Sequence, residues 1–249
     1  MTSELIKGIG RGVPAFLASV TSVDEARLAI AAGADIIDCK DPSRGALGAL
    51  DADVVRAVVK AVAGRVPVSA TIGDLPADAG IMSEAAVAMA ATGVDIVKAG
   101  FFGDTAPQAA ISALGTADIG RARMFAVLMA DRQPDFGAIA MLAKARFLGV
   151  MLDTADKSSG SLVDVLDTAA LTAFLRTARN HGLVAGLAGS LKLDHVAALA
   201  RLQPDILGFR GALCASGRTG ALDAARAASV RDAIDAAAHA GSLSERTVA

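Results

Sequence analysis

Three of the seven lysines in this chain stand at or just past the ends of apolar segments that are typical of buried strands. Lys40 and Lys98 each close such a segment, and Lys157 follows a third segment that ends in Asp153. Arginine keeps its proton in proteins, whereas a buried lysine can lose it and act as a nucleophile or a base. The pattern therefore indicates amine chemistry, and Schiff-base formation in particular. The alternative is that each lysine only extends its amine from a strand end into water.

Carboxylates accompany two of these lysines. Asp38 lies two residues before Lys40, so both side chains share one face of a strand, and Asp153 precedes Lys157 by four residues. If that face is the interior of a barrel, a carboxylate lies one layer beneath an amine. Groups with shifted pKa values cluster at functional sites. We therefore predict one catalytic group made of Lys40, Lys98, Asp38, Asp153 and Lys157.

Glycine-containing loops follow the last two predicted strands. One loop carries Gly189 and Ser190, and the other carries Arg210 and Gly211. In α/β barrels, loops at these two places often bind phosphate through backbone N–H groups and a helix N-terminus. We therefore predict a phosphate site made of these four residues. The alternative is that the glycines only form ordinary turns.

Two further loops add candidate substrate contacts. The loop over residues 42–49 is long for its position and carries Arg44 beside glycines, so it could hold a second phosphate or act as a lid. Asp74 follows the third predicted strand and adds a polar side chain at the same end. We include Arg44 and Asp74 in the predicted substrate-binding set.

Metal and cofactor chemistry is not indicated. The three histidines, His181, His195 and His239, fall outside the predicted strand ends, so a zinc site is not expected. A magnesium ion held by Asp38 and Asp153 is an alternative, because magnesium needs few protein carboxylates. We expect no metal and no organic cofactor.

Eight strand–helix units are needed to bring these residues to one mouth, and the sequence contains eight. Near-continuous apolar strands that alternate with helices predict a parallel sheet covered by helices. A length of 249 residues is typical of one (β/α)8 TIM barrel. We predict one α/β domain over residues 1–249, with a lead-in at 1–13 and a loose tail at 241–249. The predicted strands are 16–20, 36–40, 66–71, 96–99, 124–129, 147–153, 184–188 and 206–209, and the predicted helices are 23–32, 51–63, 83–92, 105–118, 136–143, 165–181, 193–202 and 221–240.

Composition excludes several classes of protein. The net charge is −2 and no basic block is present, which argues against nucleic acid as a partner. No uncharged apolar stretch is long enough to span a membrane, and residues 1–14 lack the features of a secretory signal. The two cysteines indicate no disulfide framework. We expect a cytoplasmic homo-oligomer that acts on a small sugar phosphate.

Seven motifs, taken in order, carry a family resemblance. They lie at residues 35–42, 45–49, 68–74, 97–100, 151–154 with Lys157, 187–190 and 208–212. Together they resemble the (5-formylfuran-3-yl)methyl phosphate synthases of methanofuran and methylofuran biosynthesis, also called 4-(hydroxymethyl)-2-furancarboxaldehyde phosphate (4-HFC-P) synthases. Departures occur at Cys39 and at Phe101-Phe102, and neither touches the expected chemistry.

The resemblance implies a TIM-barrel lyase that condenses two molecules of glyceraldehyde 3-phosphate with loss of phosphate and water. It implies that Lys40 forms the Schiff base and that Lys98 accepts a proton. It also implies that Asp38, Asp153 and Lys157 belong to the same site. The bacterial character of the composition favours methylofuran as the product pathway.

Two other functions fit the same residues. One is a different class I aldolase that acts on a single sugar phosphate, because it would share the barrel, the lysine and the phosphate loops. The other is a phosphate-binding barrel without catalytic activity. Borohydride trapping separates the binder from both enzymes, and product analysis separates the two enzymes.

Overall fold

Eight parallel strands form a closed barrel in a computed structural model, which describes residues 13–103, 108–156 and 160–246. Each strand pairs with its neighbours in chain order, and the eighth pairs with the first to close the barrel. The predicted (β/α)8 fold is confirmed. The strands are β1 (Ala15–Val20), β2 (Ile36–Cys39), β3 (Val68–Thr71), β4 (Ile96–Phe101), β5 (Arg123–Met129), β6 (Gly149–Asp153), β7 (Val184–Leu187) and β8 (Ile206–Phe209).

Helices follow the strands around the barrel, and no helix in the described ranges is long and apolar enough to cross a membrane. Short 3₁₀ turns precede or replace parts of some helices. The α-helices of the described residues are α1 (Val23–Ala31), α2 (Ala52–Val62), α3 (Ala79–Ala90), α4 (Gln108–Thr116), α5 (Ala138–Lys144), α6 (Leu162–Val165), α7 (Thr168–Asn180), α8 (Val196–Ala200) and α9 (Ala224–Arg246).

Several helix boundaries differ from the sequence prediction; α3, for example, begins at Ala79, four residues before the predicted helix 83–92. The predicted helix 165–181 begins three residues later as α7, because Asp167 is extended and its side chain caps the helix by accepting the Ala170 N–H. The last helix continues to Arg246, so the expected loose tail at 241–249 is helical as far as the structure describes it. The expected lead-in lies outside the described residues except for Val13.

Side-chain alternation divides the hydrophobic core into two main parts. Outward residues of the strands, such as Phe16, Ile37 and Val97, pack against the helices. The strands are therefore buried on both faces, which explains their near-continuous apolar sequences. The inner cluster fills the barrel and includes Leu17, Ile36, Ile96, Phe125 and Met151.

The polar residues of the predicted site lie directly above this inner cluster. Asp38, Lys98 and Asp153 each stand two residues beyond a member of the cluster, so each side chain points inward in the next layer. Lys40 follows β2 rather than ending it, but its N–H still donates to the Val20 carbonyl at 3.1 Å. The barrel therefore brings these four side chains to its carboxyl-terminal end.

The loop between β2 and α2 folds over part of this end. Leu47 is fully buried and packs against the end of β5. Asp74 holds the loop by accepting the N–H groups of Ala46 at 2.8 Å and of Leu47 at 2.7 Å. Gly100 on β4 makes room for the loop, because a Cβ atom there would lie 2.5 Å from Leu47 Cδ1. One side of the mouth is thus closed by protein.

Candidate active site

A cavity of about 570 Å³ opens at the carboxyl ends of the strands, on the side that the β2 loop leaves free. Asp38, Lys40, Lys98 and Asp153 line its inner part. The loops after β7 and β8 and the first turns of α9 line its outer part. The active site of an α/β barrel is expected at this end.

Asp38 is the most deeply buried polar group of the site, with no exposed surface. Its carboxylate accepts hydrogen bonds from Ser19 Oγ at 2.9 Å, from Ser69 Oγ at 2.6 Å and from Lys98 Nζ at 3.1 Å. Burial alone would raise the pKa of Asp38, but the charges of Lys98 and Lys40 and the hydrogen bonds from Ser69 and Lys98 lower it below its ordinary value. The carboxylate is therefore ionised at neutral pH.

Lys40 pairs with a different carboxylate from the one that shares its strand. Its Nζ lies 3.4 Å from Asp153 Oδ2, and Asp153 Oδ1 accepts the Thr154 N–H at 2.7 Å. Sequence alternation suggested Asp38 beneath Lys40, whereas Asp38 makes its ion pair with Lys98. The pairs cross the barrel because inward side chains of different strands meet in one layer.

The two amines differ in how tightly the protein encloses them. Lys98 is 4% exposed and contacts its carboxylate at 3.1 Å, whereas Lys40 is 7% exposed and contacts its carboxylate at 3.4 Å. Both line the cavity. Lys157, the third predicted amine, lies outside the described residues.

The predicted phosphate loops also face this cavity. Gly189, Ser190 and Gly211 line its outer part. Gly189 has a φ of 103°, and a Cβ atom there would lie 3.1 Å from the backbone nitrogen of Thr154. Ser190 adopts a φ of 49° as well, so the β7 loop turns sharply beside the end of β6.

Arg210 lines the cavity, but its hydrogen-bond donors are engaged by the protein. It is only 8% exposed, and all five of its guanidinium N–H groups already donate to protein oxygens. Its contacts to Glu25 span 2.6 Å and 3.2 Å, so the two side chains form a forked, buried ion pair. In this arrangement the guanidinium keeps no N–H for a phosphate, and its contact with the ligand stays a prediction.

The ion pair with Arg210 also favours the ionised form of Glu25. Burial by itself would raise the pKa of Glu25, but the Arg210 hydrogen bonds and charge, together with the backbone N–H groups of Thr21 and Leu222, lower it below its ordinary value. Glu25 therefore remains an anion at neutral pH.

Two other predicted substrate contacts also lie elsewhere. Arg44 is exposed and forms ion pairs with Asp41 at 3.3 Å and with Asp51 at 2.9 Å, away from the residues that line the cavity. Asp74 uses both carboxylate oxygens to hold the β2 loop, and it does not line the cavity. Both side chains shape the loop rather than the cavity surface, and their assignment as substrate contacts stays a prediction.

Three cations that sequence reasoning missed do line the cavity. They are Lys192 after β7, Arg218 in the loop after β8, and Arg226 in the first turn of α9. None lies at a strand end, so strand periodicity carried no signal for them. Among the residues that the structure describes, six cationic side chains and two carboxylates line the cavity, which favours an anionic ligand. The six are Lys40, Lys98, Lys192, Arg210, Arg218 and Arg226.

The carboxylates that could bind magnesium are engaged by amines. Asp38 pairs with Lys98 and Asp153 pairs with Lys40. Among residues 13–103, 108–156 and 160–246, no three histidine, cysteine, aspartate or glutamate side chains come together as metal ligands.

Comparison with known proteins gives one consistent family. Residues 16–231 match the family model described as 4-HFC-P synthase. A protein of Methylorubrum extorquens, provisionally named (5-formylfuran-3-yl)methyl phosphate synthase, is 46% identical over 93% of this chain and 96% of its own. The (5-formylfuran-3-yl)methyl phosphate synthase of Methanocaldococcus jannaschii is 36% identical over 81% of this chain and 90% of its own.

Solved structures match at the level of fold. 3-Hexulose-6-phosphate synthase of Salmonella typhimurium matches with a TM-score of 0.65 at 15% identity, covering 90% of this chain and 99% of that one. Phosphoribosyl anthranilate isomerase of Thermus thermophilus matches with a TM-score of 0.64 at 15% identity, covering 89% of this chain and 98% of that one. At these identities the likeness establishes the barrel fold alone.

Proposed function

The chain belongs to the 4-HFC-P synthase family, and on that premise we propose that it condenses two molecules of glyceraldehyde 3-phosphate into (5-formylfuran-3-yl)methyl phosphate. One phosphate and water are lost in this reaction, which makes the enzyme a lyase of methylofuran or methanofuran biosynthesis. One observation carries the proposal. Two buried lysines, each with its own carboxylate, line one cavity whose charge favours anions.

Lys40 is the proposed Schiff-base nucleophile. Its amine is the less enclosed of the two, and its contact with a carboxylate is the longer one. In the proposed step, Nζ attacks the carbonyl carbon of one triose phosphate, and the carbinolamine loses water to form an imine. Asp153 orients the amine through the 3.4 Å contact and stabilises the cation that forms.

Lys98 and Asp38 are the proposed proton-transfer pair. The imine withdraws the electron pair of the neighbouring C–H bond while its proton passes to this pair. The resulting enamine carbon attacks the carbonyl carbon of the second triose phosphate and forms the new carbon–carbon bond, and the carbonyl oxygen takes up the proton held by the pair. Phosphate leaves later by β-elimination: a proton is removed from the adjacent carbon, the electron pair of that C–H bond forms a C=C bond, and phosphate departs with the electron pair of its C–O bond. Lys157 is proposed as a further proton carrier on the strength of the family motif alone.

The β7 and β8 loops are the proposed phosphate site. Backbone N–H groups around Gly189, Ser190 and Gly211 suit a dianion, and these residues line the same cavity as the lysines. A cavity of about 570 Å³ is within the range of small-molecule sites, so one chamber offers room for two triose phosphates.

The direct test is an absorbance spectrum. The purified protein is incubated with glyceraldehyde 3-phosphate, and a furan aldehyde is expected to appear as a new near-ultraviolet band. A different aldolase would give a product without that band. A binding protein would give no reaction, and borohydride would leave no reduced adduct on lysine. A product without the band would contradict the proposed function. The absence of any reaction, with no reduced adduct on lysine, would contradict it as well.

A further inference from the structure

The loop after β8 is a small hairpin that carries Arg218 at its tip. Cys214 and Leu222 face each other across the base of the hairpin in an antiparallel bridge. The Gly220 N–H donates to the Gly217 carbonyl at 3.0 Å and tightens the turn. Gly217 and Arg218 both line the cavity.

The Glu25–Arg210 pair holds this hairpin at both its base and its tip. Glu25 Oε1 accepts the Leu222 N–H at the base at 3.0 Å. Arg210 donates through Nε to the Arg218 carbonyl at 2.8 Å and through Nη2 to the Gly220 carbonyl at 2.7 Å. The pair itself is anchored to the barrel, because Arg210 Nη1 also donates to the Ser19 carbonyl at 3.1 Å.

Arg218 is placed beside the predicted phosphate loop and keeps most of its donors. A Cβ atom on Gly211 would lie 3.9 Å from Arg218 Cβ, so the arginine side chain starts next to that loop. Its Nη2 donates to the Gly45 carbonyl at 2.7 Å, and within the described residues its guanidinium makes no other hydrogen bond or ion pair. Four of its five N–H groups therefore remain for a ligand.

We propose that Arg218 is the guanidinium that binds a substrate phosphate at the β7–β8 end of the cavity, and that Glu25 and Arg210 are the residues that position it. This inference rests on the proposed function only for the identity of the substrate. A planar fork of N–H donors suits a phosphomonoester better than a single ammonium does. The hydrogen bond to the Gly45 carbonyl also joins Arg218 to the loop that follows Lys40. The proposed phosphate contact is therefore linked directly to the loop that follows the proposed nucleophile.

The test is calorimetric titration of the full chain with inorganic phosphate and with glycerol 3-phosphate, neither of which can form an imine. Arg218→Met removes the charge and keeps the stem, and it is expected to weaken binding roughly ten- to a hundredfold. Arg56→Met is the matched control, because Arg56 is 52% exposed on α2 and pairs with Asp53, away from the cavity. Wild-type affinity in Arg218→Met, equal weakening in Arg56→Met, or no phosphate binding by the wild type would each overturn the assignment.

The positioning role is tested by a double-mutant cycle. Arg210→Lys is expected to weaken phosphate binding, and the double variant Arg210→Lys/Arg218→Met is expected to bind no more weakly than Arg218→Met alone. Additive losses would overturn the positioning role. If Arg210→Lys does not fold, Glu25→Asp perturbs the same pair while keeping its charge.

The proposed function and this inference can fail separately. A wild type that binds phosphate through Arg218 but yields no furan band keeps the Arg218 assignment and loses the condensation reaction. If the wild type yields the furan band while Arg218→Met keeps the wild-type phosphate affinity and KM, the Arg218 assignment is refuted and the proposed reaction stands.

Discussion

Lys98 Nζ lies 3.1 Å from Asp38 Oδ1 inside the barrel, where Lys98 is 4% exposed and Asp38 has no exposed surface. The pair connects β2 to β4 across the intervening β3, whose Ser69 donates to the same carboxylate oxygen at 2.6 Å. Within the described part of the chain, Asp38 is the carboxylate that forms an ion pair with Lys98.

Asp38→Asn is expected to lower both the rate and the stability. Loss of a proton-transfer group usually costs on the order of 10²-fold in rate. Removing one partner of a buried ion pair costs about 3–5 kcal/mol in the free energy of unfolding. Steady-state kinetics and urea unfolding measure the two effects, with Asp153→Asn as the comparison that keeps the Asp38 pair intact. A fully active and fully stable Asp38→Asn protein would contradict the arrangement.

Lys40→Arg is expected to abolish covalent trapping while leaving the fold intact. Arginine keeps the positive charge facing Asp153 but cannot form an imine. The rate should fall by at least about 10³-fold, as for loss of other nucleophiles. Borohydride reduction with substrate, followed by peptide mass analysis, should label the wild type at Lys40 and leave the variant unlabelled. Lys60→Arg on the outer helix α2 is the control, and normal turnover by Lys40→Arg would remove Lys40 from the nucleophile role.

Glu25→Gln is expected to destabilise the protein most at neutral pH. The pKa of Glu25 is lowered in the folded protein, so its contribution is present above its ordinary pKa of 4.5 and is lost as the pH falls through the folded-state value. At pH 7 the free energy of unfolding should fall by about 3–5 kcal/mol, because Arg210 is left buried without its anionic partner.

The pH dependence identifies this pair specifically. The free energies of unfolding of the wild type and of Glu25→Gln can be measured with urea at pH values from 7 down to about 3. The difference between these two free energies should narrow below pH 4.5. Other carboxyl groups titrate in both proteins and cancel in the difference. A difference that stays constant through this range would mean that the ionisation of Glu25 does not stabilise the fold.

Asp74→Asn is expected to affect the β2 loop and not the phosphate site. The substitution replaces one of two oxygens that accept the Ala46 and Leu47 N–H groups, which should cost about 1–3 kcal/mol of stability. The affinity for inorganic phosphate, measured by calorimetry, should change little. Weaker phosphate binding at unchanged stability would return Asp74 to the substrate contacts.

Local pattern in the sequence was sufficient for the barrel and for the inner layer of the site. Apolar strands have a period of two, so placing Ile36 and Ile96 inside the barrel also places Asp38 and Lys98 inside it. Element boundaries shifted where a cap intervened, as at Asp167, because a single side-chain hydrogen bond decides where a helix starts. Gly189 and Gly211 faced the cavity as expected, since loops that follow β7 and β8 share one end of any such barrel.

Only the tertiary structure decided which charges meet. Arg210 lies in the sequence beside the predicted phosphate loop, yet it forms a buried ion pair with Glu25, which is 185 residues away. Lys40 lies two residues from Asp38 and pairs with Asp153 instead, 113 residues away. Closing the sheet into a barrel places side chains from strands that are distant in the chain next to each other. A guanidinium or an amine then forms its ion pair with the carboxylate that lies nearest to it in the closed barrel. Sequence spacing records the face on which a side chain lies, whereas its partner depends on how the barrel closes and which loops fold over the mouth.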